Sequence, residues 1–200
     1  MSSSAPGASG PDGKDGAGAW PVLAILVLCA APIVAAWLAY FVWPPASRVN
    51  YGELIEPRPL SDPELERVEG GPFRLSALRG KWLLVQIDGG GCGPACRRKL
   101  LYMRQLRLTQ GKDMDRIERV WLVSDASPVD PALRHEFEGT HVVRTGASPL
   151  AREFAAPRDP SEYIYLVDPL GNVMLRWSAI PDPNGMRRDL SRLLRASRIG

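Results

Sequence analysis

The sequence predicts an α/β domain, a mixed sheet flanked by helices, behind a single N-terminal transmembrane helix. Three observations carry this. No Asp, Glu, Lys or Arg occurs between Asp15 and Arg48, and the core of that gap, Ala19 to Trp43, is almost wholly apolar. Beyond it, short apolar runs alternate with helical patterns in the order β-α-β-α-β-α-β-β-α, which places helices on both faces of one sheet. A cysteine pair, Cys92 and Cys96, falls where a strand gives way to a helix. The chain has 200 residues, 45% of them hydrophobic and 24% charged. The roughly 150 residues after Arg48 suffice for one compact domain, which excludes a multidomain enzyme.

Residues 1–18 are small, polar and rich in Gly, Ser and Pro, the composition of a disordered tail. Residues 19–43, as a helix, reach about 37 Å against a hydrocarbon core of about 30 Å. Trp20 at one end and Trp37, Tyr40, Phe41 and Trp43 at the other suit the two interfaces. Pro32 is tolerated in lipid. The run is long for a signal-peptide core, lacks a basic leader and ends in Pro44-Pro45, so it reads as an uncleaved anchor. Lys14 before the span and Arg48 and Arg58 after it leave the orientation undecided by charge. Cys29 within the span reads as a small packing residue.

Residues 44–71 read as an extended tether, in which Pro57, Pro59 and Pro63 leave room only for a short helical piece from Asp62 to Val68. Residues 72–200 form the folded domain. Strands are predicted at Trp82–Ile87, Arg119–Val123, His141–Arg144, Tyr163–Val167 and Val173–Trp177, the last two joined by the turn 168–172. Helices are predicted at Pro94–Leu108, Pro131–Glu138, Ser148–Phe154 and Gly185–Ile199. The last carries Met186, Leu190, Leu193 and Leu194 on one face and Arg187, Arg188, Arg192, Arg195 and Arg198 elsewhere.

The formal charge is +3. Asp12, Lys14 and Asp15 make the first 47 residues −1, so the remainder is +4. With no Lys/Arg block interleaved with aromatic residues, this balance argues against a nucleic-acid partner.

Three cysteines are too few for a disulfide framework. The pair Cys92 and Cys96 reads instead as a working site, redox or metal. In Asp88-Gly-Gly-Gly-Cys92-Gly-Pro-Ala-Cys96-Arg-Arg-Lys99, Pro94 suits the first helical position with Gly93 as its cap. Cys96 then lies in the first turn, four residues before Leu100 and over the same buried face, while Cys92 stays outside the helix. The helix terminus lowers a thiol's pKa, and the thiolate is the form that attacks disulfides or binds soft metals. Arg97, Arg98 and Lys99 put three cations where the helix dipole disfavours them, so a thiolate, an acidic partner or solvent must compensate. Gly89 to Gly91 either admit a closely approaching backbone or form a flexible loop. A passive disulfide is the plainer alternative. Zinc lacks ligands, because His135 and His141 show no ligand spacing with the pair.

A strand ending in a dithiol at the start of a long helix is the arrangement of the thioredoxin fold. Over roughly residues 70 to 198 the chain resembles the Sco/SenC family, membrane-anchored thioredoxin-fold proteins that help assemble the copper centre of cytochrome c oxidase. The resemblance rests on Phe73-Arg-Leu-Ser-Ala-Leu-Arg-Gly80-Lys-Trp-Leu-Leu-Val-Gln, on the spacing Cys92-x-x-x-Cys96, on Trp121-Leu-Val-Ser-Asp125 and on Tyr165-Leu-Val-Asp-Pro-Leu-Gly171. It breaks at the family's copper-ligand histidine, where this chain has Asp159-Pro-Ser-Glu-Tyr163. Pro160 lies near, but shifted from, the position of the thioredoxin proline that precedes the last strands.

The resemblance implies a thiol–disulfide exchange protein with Cys92 and Cys96 as its catalytic pair. It implies a place in the bacterial inner membrane with the domain in the periplasm, and an oxidase subunit or assembly factor as partner. Copper is the cofactor it suggests, held as Cu(I) by Cys92 and Cys96 alone. The alternatives are a Cu(I) chaperone and a general extracytoplasmic thiol oxidoreductase of the cytochrome c maturation type.

Overall fold

The structure, a computed structural model, describes residues 19–42 and 50–197. The predicted tail, the residues around Pro44-Pro45 and the end of the last helix lie outside that description. The chain divides into two units, residues 1–48 and 49–200.

In the first unit, helix α1 (Ala19–Val42) runs for 24 residues with Pro32 inside it. Its stretch Trp20–Ala39 is long and apolar enough to cross a membrane. On it Trp20, Leu28 and Ile33 are 76%, 75% and 72% exposed. Cys29, read as a packing residue, is a free cysteine and exposed.

The second unit is built on a single sheet of β1 (Glu53–Pro59), β2 (Leu65–Arg67), β3 (Pro72–Phe73), β4 (Trp82–Asp88), β5 (Ile117–Val123), β6 (Thr140–Arg144), β7 (Tyr163–Val167) and β8 (Asn172–Ser178). Their spatial order is β1-β8-β7-β4-β5-β6-β2-β3. Strands β4, β5 and β6 are parallel, and every other pairing is antiparallel. The helices are α2 (Pro94–Leu108), α3 (Pro131–Glu136), α4 (Leu150–Glu153) and α5 (Pro183–Ala196).

Strand β4 is central because it is apolar on both faces, as a strand covered on both sides must be. Its Trp82 and Leu84 share one buried cluster with Leu100 and Met103 of α2, Leu133 of α3, and Met186, Leu190 and Leu194 of α5. Its Leu83, Val85 and Ile87 face the other way, onto Leu75, Leu150 and Phe154. Each fully buried Leu, Met or Val of these two layers stabilises the fold by about 1.5–3 kcal/mol. The mixed sheet with helices on both faces is the predicted thioredoxin-like architecture.

The segment read as a tether departs from that expectation. Residues 53–59 pair with β8 as an edge strand, and residues 65–67, read as helical, pair with β6. Proline does not prevent this, because an edge strand can leave its missing N–H facing outward. Pro57 falls within the irregularity between Leu54 and Arg58, where the ladder is already interrupted. The segment is also tied down at its start. The buried Asp189 carboxylate accepts hydrogen bonds from Tyr51 N (2.9 Å), Gly52 N (2.7 Å) and Trp177 Nε1 (3.1 Å). A Cβ on Gly52 would lie 2.6 Å from Trp177 Nε1, so only glycine lets the chain pass this close. The folded domain therefore begins near residue 50 and not at residue 72.

Candidate functional site: a dithiol at the end of the central strand

Strand β4 delivers the chain to Gly89–Gly93, and α2 starts at Pro94, so the fold places both cysteines at the carboxyl end of the sheet's central strand. Cys92 and Cys96 are joined in a disulfide with Cα atoms 5.1 Å apart. Cys92 is half-buried and precedes the helix. Cys96 is only 3% exposed and packs in the same cluster as Leu100 and Met103. Gly93 is the extended N-cap, and Pro94 occupies the first turn, where its missing N–H is not needed. Cys92 has φ +33°, the left-handed region that a non-glycine residue occupies at a cost of about 1–2 kcal/mol. Its N–H, donating to Gly89 O at 3.2 Å, helps to hold it there.

The glycines before Cys92 admit the chain's own next loop. A Cβ at Gly89 would stand 2.3 Å from Asp125 Oδ2, and one at Gly90 would stand 2.1 Å from Ser127 O. Asp125, at the end of β5, accepts from Gly90 N at 2.8 Å and from Ser127 N and Oγ at 3.1 Å each. These bonds, the one from Gly90 first, hold the Asp125 carboxyl below its ordinary pKa. A Cβ at Gly91 would meet nothing within 4 Å, so this position stays open beside the reactive pair.

Beneath the disulfide lie Gln86, Asp88 and Lys99, whose inward packing the sequence does not reveal. Gln86 is fully buried, and its Nε2 donates to Cys96 Sγ at 3.3 Å. Lys99, one turn after Cys96, is fully buried; its Nζ pairs with Asp88 Oδ2 at 2.6 Å and donates to the Ser161 carbonyl oxygen. Burial pushes the Asp88 carboxyl up and the Lys99 ammonium down, while their mutual attraction opposes both shifts. Lys99 thus fastens α2 to the end of β4 and to the turn before β7.

The three cations of the first turn are answered largely from within the chain: Lys99 by Asp88, and Arg97 by Glu136 at 2.6 Å. Arg98 is exposed. The available signal for Gln86 was a polar residue inside an apolar strand. For Lys99 it was the i+3 spacing from Cys96, on the helix face that carries Leu100.

Neither histidine joins the site. His141 is level with Val120, and Val120 with Val85. Val85 and Val120 both belong to the layer opposite α2, and cross-strand neighbours share a face, so the sheet separates His141 from Cys96. His141 stacks on Phe73 with ring centroids 5.7 Å apart and lies between Arg67 and Glu118. Burial pushes it below its ordinary pKa, with Glu118 opposing. His135 is exposed on α3. Asp159, in the turn where the resemblance would put a metal-ligand histidine, accepts from Ser161 N at 2.8 Å, a bond that lowers its pKa. No group of three or more His, Cys, Asp or Glu suited to a metal occurs among the described residues. A soft metal would find two sulfurs here, and nothing more that this turn offers freely.

Chemically, the arrangement presents one reachable sulfur and one buried sulfur at the positive end of a helix, with an amide N–H on the buried one. This is a layout for thiolate chemistry in which the two cysteines are not equivalent.

Comparison with solved structures agrees on the fold. Yeast Sco1 with copper bound superposes with a TM-score of 0.58 at 16% identity, over 72% of this chain and 96% of that one. Bradyrhizobium japonicum ScoI with copper bound gives 0.54 at 17%, over 68% and 99%. A thioredoxin-family thiol:disulfide interchange protein from Chlorobium tepidum gives 0.53 at 20%, over 70% and 98%. At these identities the likeness is one of fold. No curated protein matches the chain significantly. The family model described as the transmembrane-like, thioredoxin-like, C-terminal domain matches residues 82–197, from the first residue of β4 to just past the end of α5. That match spans more than half of the sequence and contains the whole dithiol site, so the chain belongs to the family of this transmembrane-like, thioredoxin-like, C-terminal domain.

Proposed function

We propose that this protein is a membrane-anchored, Sco-like thiol–disulfide exchange protein whose domain faces the periplasm from a bacterial inner membrane, and that it assists cytochrome c oxidase assembly. The observation that carries the exchange reading is the asymmetry of the dithiol. Cys92 is reachable before the helix, and Cys96 is buried within it and hydrogen-bonded to Gln86. In the reduced protein the Cys92 thiolate attacks a partner's disulfide. One partner sulfur leaves as a thiolate, and a mixed disulfide forms. The Cys96 thiolate then attacks Cys92 Sγ, releasing the partner's second thiolate and closing the Cys92–Cys96 bond. The partner gains two electrons and the protein loses two. The helix terminus favours the negative charge that each step places on sulfur.

The oxidase assignment is supported by the fold shared with copper-bound Sco proteins and by the motifs named above. Cu(I) carriage as cargo by Cys92 and Cys96 is the second reading, favoured by the same copper-bound neighbours. Deleting the gene in its own organism tests the oxidase assignment, and Cu(I) titration of the reduced protein tests the second reading. Loss of cytochrome c oxidase activity, with c-type cytochromes and other disulfide proteins intact, is the expected result. Normal oxidase activity overturns the assignment, and one Cu(I) held per reduced chain moves the metal-carrier reading ahead.

A further inference from the structure

We propose that Gln86 is a catalytic residue of dithiol exchange, its side-chain amide stabilising the Cys96 thiolate and so directing attack to Cys92. The inference rests on the exchange reading above and names the group that makes the two sulfurs chemically different.

Gln86 sits in the middle of the sheet, level with Trp121 on β5 and Ile164 on β7, and is 0% exposed. Its immediate neighbours on this face, Leu84 on β4, Trp121 on β5 and Ile164 on β7, are buried and apolar, so a methionine or leucine would fill the place. The amide is instead only half satisfied. Nε2 donates to Cys96 Sγ at 3.3 Å, and Oε1 is buried without a hydrogen-bond partner. A disulfide sulfur carries no proton, so the amide must face it with its nitrogen. Such a sulfur is a poor acceptor, and a buried, half-paired amide lowers stability. The bond gains its strength only when Cys96 becomes a thiolate, because hydrogen bonds to an ionised acceptor are about twice as strong as neutral ones. The interaction is therefore stronger in the charged transition state than in the resting disulfide, which is the requirement for catalysis.

The step balances as follows. A thiolate of a dithiol reductant attacks Cys92 Sγ, the Cys92–Cys96 bond breaks, and its electron pair goes to Cys96 Sγ, which takes up the Gln86 N–H. The reductant's second thiolate then attacks its own first sulfur, freeing Cys92 as a thiolate. The reductant becomes a disulfide, and the two thiol protons it loses pass through solvent. A leaving thiolate of lower pKa departs faster, so the amide steers attack to the sulfur whose departure it does not assist. In reverse, the same bond holds Cys96 as the thiolate that resolves a mixed disulfide on Cys92.

The test measures reduction of the full-length, detergent-solubilised protein by dithiothreitol, comparing it with Gln86→Met and Gln86→Glu. Gln86→Met is expected to slow reduction about tenfold. Its melting temperature should hold or rise, since the orphaned amide oxygen goes too. A role in packing alone predicts the opposite, a lower melting temperature with an unchanged rate, and that result overturns the proposal. Gln86→Glu keeps the shape and donates only while protonated, so its rate relative to wild type should fall as pH rises through the carboxyl's ionisation. A pH profile parallel to wild type, in a folded Glu variant, likewise overturns it. Should the wild-type disulfide itself resist dithiothreitol, the exchange reading fails outright. A wild type that reduces readily while both variants match it removes Gln86 alone.

Discussion

A methyl group added at Gly90 would stand 2.1 Å from the Ser127 carbonyl oxygen, whereas one added at Gly91 would meet nothing within 4 Å. Two adjacent glycines thus have different reasons to be glycine. Gly90→Ala is expected to destabilise the domain by about 2–3 kcal/mol, because the obstacle is backbone and cannot rotate aside. Gly91→Ala should stay within about 0.5 kcal/mol of wild type. Thermal denaturation of the two variants decides, and equal melting temperatures would contradict the account. The sequence made the glycine run and the terminal Asp125 visible as features, but it could not show that one clamps the other. The inward placement of Gln86 and Lys99 was hidden for a related reason. An apolar strand and a basic first turn each explain themselves locally, and only the packing of α2 on β4 shows that one amide and one ammonium point inward.

At the scale of elements, legibility followed how local the determinants are. Helix α2 runs from Pro94 to Leu108 as predicted, because a proline at its start and an apolar stripe at Leu100, Met103 and Leu106 define it without outside help. Helix α5 shows the same. Asp182 caps it by accepting from Asn184 N and Gly185 N, Met186, Leu190 and Leu194 of the predicted apolar face are buried with Leu193 partly so, and Arg187, Arg188, Arg192 and Arg195 are exposed. Strands β1 and β2 were illegible, since an edge strand rich in proline acquires its structure from its neighbour. Asp189 is the residue that secures this edge. Asp189→Ala leaves Tyr51 N, Gly52 N and Trp177 Nε1 without their shared acceptor, and should cost about 3 kcal/mol. Limited proteolysis of the variant should cut first within residues 50–59. A variant with wild-type stability and the wild-type cleavage pattern would return this segment to the status of a tether.

For the whole molecule, the two units were separable in the sequence through the charge gap alone, and the order of strands and helices indicated the sheet's architecture. The identity of the site was legible because a strand, a glycine loop, a dithiol and a helix follow one another within about 25 residues. The electrostatic surroundings were not, because Asp88, Lys99 and Ser161 come together only after three elements assemble. The central claim is that these surroundings make Cys92 the attacking sulfur and Cys96 the resolving one. Trapping on the membrane-bound protein tests it most directly: full-length Cys96→Ser and Cys92→Ser chains are expressed in the native host, quenched in acid, and resolved without reductant. The account predicts a partner linked covalently through Cys92 in the Cys96→Ser chain and none in the Cys92→Ser chain. Equal adducts on both variants, or an adduct only through Cys96, would contradict it.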